Sequence, residues 1–134
     1  MNNLSHVNTA QVLLRLTLGA VLLAHGLLKV LVFGHAGTAG FFVSLGLPAV
    51  LAYIVMYAEV LAGIALIVGF QVRAVSVLTL PILLGAVWVH AGKGWLFSNA
   101  GGGWEFPVVL VILAVIVAIQ GGGSCPVSRL FKRD

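Results

Sequence analysis

The chain has 134 residues, 61% of them hydrophobic and only 7% charged, and its mean hydropathy is +1.18. Soluble domains carry roughly 25% charged residues, so this composition excludes an ordinary globular domain and defines an integral membrane protein. The formal charge of +4 comes from seven basic and three acidic residues, and spans of about 20 residues each leave room for one transmembrane unit, residues 1–134, with no separate soluble domain.

Backbone groups in lipid must be satisfied within their own segment, so each apolar span is predicted to be an α-helix and the fold class all-α, a four-helix membrane bundle. The first predicted span covers about residues 12–33 and carries three ionisable groups, Arg15, His25 and Lys29. It is not a signal peptide: the apolar run continues through Val32 with no clean small-x-small cleavage site. The connection 34–47, rich in glycine and small residues with two phenylalanines, is expected to dip into the interface as a re-entrant or short helical piece. The second span, about 48–70, holds Glu59 near its middle, where a lone carboxylate costs several kcal/mol unless a partner meets it. Arg15 and Lys29 are the candidate partners.

Only a residue or two around Gln71 separates the second span from the third, about 72–91, so these two helices are predicted to be antiparallel neighbours. Arg73 opens the third span, Pro81 is expected to kink it, and His90 closes it. A glycine-rich connection, 92–103, is expected to be mobile or shaped by contacts. The fourth span, about 104–119, begins with Glu105 in its first turn, where a carboxylate suits the helix dipole. Residues 120–134 form a basic tail with Arg129, Lys132, Arg133 and the single cysteine, Cys125. One cysteine excludes an internal disulfide or a Cys-x-x-Cys pair, and with Gly and Pro as neighbours Cys125 is expected to be a passive thiol.

The basic tail and Arg73 lie on one side of the predicted spans, and the first connection has no Lys or Arg. By the positive-inside rule both termini are predicted to be cytoplasmic, with Trp88, Trp95 and Trp104 at the outer interface. The tail then favours anionic lipid headgroups of the bilayer, not nucleic acid. Small residues four apart, Ala20 with Ala24, Ala58 with Ala62, Ala65 with Gly69 and Ala114 with Ala118, are candidate close-packing positions. Arg15 and Lys29 share a helix face, as do Glu59 and Arg73, because fourteen steps of 100° fall within about 40° of whole turns.

This topology is predicted to bring His25, Lys29, His90 and Glu105 to one level at the outer end, with Arg15 and Arg73 near the inner surface. Each has a bland reading: His90 and Lys29 as snorkelling side chains, Glu105 as a dipole partner, Arg73 as an anchor, Glu59 as half of a register-fixing salt bridge. Two histidines on different helices are also the ligands a haem would use. His25, His90 and Glu105 make a two-histidine, one-carboxylate metal candidate, but Lys29 puts a competing positive charge there. No metal is therefore assigned. A ligand with carbonyl or anionic oxygens suits donors in apolar and aromatic walls, and a quinone answers that description. No side chain here carries electrons alone, so redox chemistry would need a bound group or a partner.

The ordered segments RLTLGAVLLAHGLLKV (15–30), EVLAGIALIVGFQVRA (59–74), His90, GGGWEFPVVLV (101–111) and QGGGS (120–124) resemble the DoxX family of small bacterial membrane proteins. The resemblance implies four helices in the bacterial inner membrane and marks Arg15, His25, Gly26, Lys29, Glu59, Gly63, Arg73 and Glu105 as characteristic positions. It also implies association with thiosulfate:quinone oxidoreduction, with a membrane complex linking a superoxide dismutase and a sulfurtransferase, or with resistance to quinones or thiol stress. More distant eukaryotic look-alikes are cargo receptors or assembly chaperones. The sequence departs from the family at its exit, where Gly-Pro-Gly, an aromatic and Ser-x-Asp commonly stand. Here Gly121 to Ser128 has no acidic residue and gains Cys125.

The expectation is a membrane subunit of a redox or oxidative-stress system, not catalytic alone, that binds a quinone-like or small anionic molecule through Arg15, His25, Lys29, Glu59, Arg73, His90 and Glu105. Lys29, His25 and His90 are expected to donate to it. A redox-enzyme partner subunit and a homo-oligomer are the expected assemblies. The competing expectation is a non-enzymatic anchor, assembly factor or chaperone whose buried charges only hold the helices together.

Overall fold

The computed structural model describes residues 3–123. In chain order it contains α1 (Asn3–Leu27), a π-helical turn (Leu28–Val32), α2 (Gly34–Ser44), α3 (Ala49–Val68), α4 (Val72–His90), a 3-10 turn (Ala91–Lys93) and α5 (Glu105–Gln120). Among the described residues there is no strand. The predicted tail residues Cys125, Arg129, Lys132 and Arg133 lie outside the described residues.

His6–Val32, Ala49–Val68 and Val72–Lys93 are each long and apolar enough to cross a membrane, and Glu105–Gln120 is a shorter apolar helix. The four form an all-α membrane bundle. Large apolar side chains point outward all round it, with Leu31, Leu78 and Ile119 each more than two-thirds exposed, as suits a surface solvated by lipid tails rather than water. Inside, Leu18 and Leu22 of α1, Leu66 of α3, Leu83 of α4 and Leu110, Ala114 and Val117 of α5 make the core.

α1 starts well before the predicted boundary at residue 12. Its polar first turns project past the apolar section, where the Gln11 side-chain amide donates to the Gln120 carbonyl at 3.0 Å and so ties the start of α1 to the end of α5. α1 and α3 run antiparallel in very close contact, set by three glycines. A Cβ on Gly63 would lie 2.6 Å from the Leu23 nitrogen and 2.8 Å from the Gly19 oxygen, and one on Gly26 would lie 2.7 Å from Val60 Cγ2. The predicted Ala20 and Ala24 pair of α1 does not do this, since both residues are exposed. Packing without a hydrophobic driving force rewards backbone approach, and glycine permits more of it than alanine.

The reversal between α3 and α4 is as tight as predicted. Gly69 ends α3 in the left-handed region at φ 82°, and the Gly69 and Phe70 amides both donate to the Ala65 carbonyl, at 2.9 and 2.8 Å. Gln71, also left-handed at φ 42°, starts α4. α4 continues through Pro81 to His90.

The 34–47 connection is helical. Gly34, at φ 73°, breaks the path of α1 and its π-helical turn, and α2 folds back onto α3, where the His35 ring lies against Tyr53 and its Nε2 is 2.7 Å from the Tyr57 hydroxyl. The 92–103 connection is shaped by contacts. The Trp104 and Glu105 amides donate to the Gly94 and Trp95 carbonyls, both at 3.1 Å. The Trp95 and Trp104 rings meet edge to face with centroids 4.5 Å apart.

Candidate functional site

Glu59 is buried in the middle of α3 and is not alone. Its Oε2 accepts from Lys29 Nζ at 2.5 Å, and the pair shows side-chain exposures of 7% and 21%. Of the two predicted partners the structure selects Lys29. That residue lies in the π-helical turn, where the Phe33 amide bonds to the Leu28 carbonyl five residues back at 3.1 Å. Such turns recur where a helix must present a functional side chain. Thr38 of α2, itself buried, donates its hydroxyl to the Lys29 carbonyl at 3.1 Å. Thr38→Val should therefore cost about 1 kcal/mol, seen as a lower unfolding midpoint with helix content unchanged.

Beside the ion pair is a cavity of about 1040 Å³. All five helices and the glycine-rich connection before α5 contribute to its wall. Its polar groups are His25, Lys29, Thr38, Glu59 and His90, and the rest is apolar or aromatic, with Trp88, Phe97 and Phe106 prominent. Small-molecule sites share this pattern of apolar walls with a few convergent polar groups.

The two histidines are held alike. His25 Nδ1 is 2.8 Å from the Val21 carbonyl and His90 Nδ1 is 2.7 Å from the Ala86 carbonyl. A carbonyl only accepts, so Nδ1 carries the hydrogen in each ring. In the neutral form of such a ring Nε2 is left as an acceptor. Among the described residues no hydrogen bond reaches either Nε2. His25 is further fixed by stacking on Phe106, with centroids 6.0 Å apart. The connection lies directly on His90: a Cβ on Gly102, which has φ 83°, would be 3.0 Å from His90 Cδ2.

Of the seven predicted residues, His25, Lys29, Glu59 and His90 border this one cavity. Glu105 does not. It sits in the first turn of α5 as predicted, but its Oε2 is buried without a hydrogen-bond partner and away from the cavity wall. Its chain neighbours Gly103, Phe106 and Pro107 do border the cavity. Among the described residues no group of three or more His, Cys, Asp or Glu side chains is arranged to hold a metal ion.

Arg15 and Arg73 gather at the opposite end of the bundle against the chain that leaves α5. Arg15 is 3% exposed, and its Cδ is 3.5 Å from where a Gly122 Cβ would be. Arg73 is exposed, with its Nε 3.0 Å from where a Gly121 Cβ would be. Thr38, which borders the cavity, and His35, which lies outside it against Tyr53 and Tyr57, escaped the sequence reading. Thr38 gave no periodic signal in a glycine-rich stretch. His35, on the same short helix, is recognisable only through its tyrosine neighbours.

Fold and site together define a helical membrane bundle with an apolar cavity bordered by a buried lysine–glutamate pair and two oriented imidazoles. The chain belongs to the DoxX family, whose model matches residues 10–92. It is similar to a Bacillus subtilis (strain 168) protein named "Putative oxidoreductase CatD", 33% identical over 121 residues that cover 90% of this chain and 84% of that protein. No solved structure matches the chain.

Proposed function

We propose that this DoxX protein is a membrane subunit of a redox or oxidative-stress system in the bacterial inner membrane, and that it holds a quinone-type ring in the cavity beside Lys29 and Glu59. The observation that carries this reading is the pair of imidazoles, His25 and His90, each held at Nδ1 by a backbone carbonyl and bordering one apolar cavity with a charged pair at its wall. The relative's name, an oxidoreductase, points the same way.

We assign the histidines an accepting role in place of the donor role expected of them. As neutral rings with Nδ1 committed to backbone, they accept at Nε2 and suit the hydroxyls of a reduced ring, a quinol. Lys29 has three N–H groups and uses one on Glu59, so the others remain for a carbonyl oxygen of the oxidised ring. Electrons pass to a partner subunit or a further bound group, since the side chains here carry none alone. With both termini cytoplasmic, the cavity lies in the outer half of the membrane.

Trp88 borders the cavity and provides the readout. A short-chain benzoquinone titrated into purified protein should quench tryptophan fluorescence saturably, and Trp88→Phe should remove most of the saturable component. His90→Ala should weaken the binding of the corresponding quinol about tenfold, the loss of one good hydrogen bond. Quenching that is linear and identical in all variants would exclude the site.

A further inference from the structure

We infer that the opposite end of the bundle contains a second site, for a phosphate-type oxyanion, built from the Arg15 guanidinium, Arg73 and the uncapped start of α4. Arg15 carries the inference. It is 97% buried by its 3% exposure, and its Nε and Nη1 have no hydrogen-bond partner. A buried guanidinium with unused donors is costly, because its charge and its N–H groups are both stripped of water without return. None of the acidic side chains among the described residues reaches it: Glu59 is taken by Lys29, and Glu105 is at the far end of α5.

The surroundings fit an anion. Gly122 brings Arg15 Cδ and Val72 Cγ2 together, at 3.5 and 2.8 Å from the same virtual Cβ, so the guanidinium stem lies beside the first residue of α4. That helix has 19 residues, and no side chain caps its first turn. Its free amides and the positive end of its dipole face the same region. Arg73, in the first turn, lies along Gly121, next in sequence to Gly122. Both glycines let the chain pass close to these groups where a side chain would not fit: a Cβ on Gly122 would lie 2.8 Å from Val72 Cγ2, and one on Gly121 would lie 3.0 Å from Arg73 Nε. Two guanidiniums and a helix start are donors matched to a tetrahedral oxyanion, which accepts several charge-assisted hydrogen bonds at once.

The group that shares this chemistry is a phosphoryl oxyanion, either on an anionic lipid headgroup or free. The test uses delipidated, detergent-purified full-length protein in chloride at fixed ionic strength. Equilibrium dialysis with radiolabelled orthophosphate measures the free anion, and native mass spectrometry after adding phosphatidylglycerol measures the lipid. One phosphate or one lipid per chain is expected, weakened at least about fivefold by Arg73→Gln. Arg73 is exposed, so that variant should fold. Arg15→Lys should weaken it as well, because the planar fork is lost while the charge stays. Orthophosphate binding that phosphatidylglycerol displaces identifies a site open to both, and retention of lipid without orthophosphate binding identifies a headgroup site. Absence of both, or binding unchanged in both arginine variants, overturns the inference.

Discussion

Glu59→Ala is expected to destabilise the protein by about 3 kcal/mol or more, because it strands the Lys29 ammonium in an apolar interior. Lys29→Ala should cost at least as much, since the Glu59 side chain it leaves unpaired is only 7% exposed while Lys29 keeps 21% exposure. The swap of Lys29→Glu with Glu59→Lys should recover part of the loss, and unfolding midpoints in detergent would measure it. Replacing the pair by Lys29→Met with Glu59→Leu should hold stability near the wild-type level, because a buried ion pair contributes little over well-packed apolar groups. That double variant separates the two functional readings. A bundle that stays folded but no longer binds quinone assigns the charges to a ligand, and a bundle that loses neither assigns them to helix packing alone.

Gly63→Val is expected to be the most damaging single change outside the ion pair. Even the first carbon of the new side chain would sit 2.6 Å from the Leu23 nitrogen and 2.7 Å from Leu23 Cβ, both on the facing helix. Backbone cannot yield as a flexible side chain can, so α1 and α3 must separate. Overpacking of this kind costs about 1–3 kcal/mol and sometimes more. The ion pair should weaken with it, because Gly26 and Glu59 share the same contact: a Cβ on Gly26 would lie 3.1 Å from Glu59 Cβ. Gly85→Ala is the matching control. Gly85 of α4 meets nothing within 4 Å, so alanine there should stabilise by up to about 1 kcal/mol through helix propensity. Equal effects at Gly63 and Gly85 would deny the close approach.

The sequence made the helices legible because lipid solvation demands long apolar runs, and the tight reversal from α3 to α4 followed from the short connection around Gln71. It made the need for a partner to Glu59 legible for the same reason. It did not choose between Arg15 and Lys29, because helix phase puts both on one face of α1. The choice is made by the register of α1 on α3, which depends on Gly19, Gly26 and Gly63 meeting particular atoms of the facing helix. Gly26 and Gly63 stood out in the sequence only as characteristic positions of the resembled family, while the alanine pairs looked like the packing signal. Glu105 shows the limit of arguing by level in the membrane. Its helix start lies at the histidines' end, yet it is not among the residues that border the cavity, and no spacing rule reports that. The histidine tautomers were equally hidden, since they depend on whether Nδ1 folds back to the carbonyl four residues earlier. That detail is what the proposed accepting role of His25 and His90 rests on.

The most direct test is nitrogen-15 NMR of histidine-labelled protein in lipid nanodiscs, with and without a short-chain benzoquinol. The chain has four histidines, so His25→Ala and His90→Ala samples assign the two of interest. The expected spectrum shows both rings as Nδ1–H tautomers with unprotonated Nε2, and shows those Nε2 signals moving on quinol addition as they accept its hydroxyl hydrogens. Rings protonated at Nε2, or Nε2 signals that stay fixed at saturating quinol, would contradict a quinol site in this cavity.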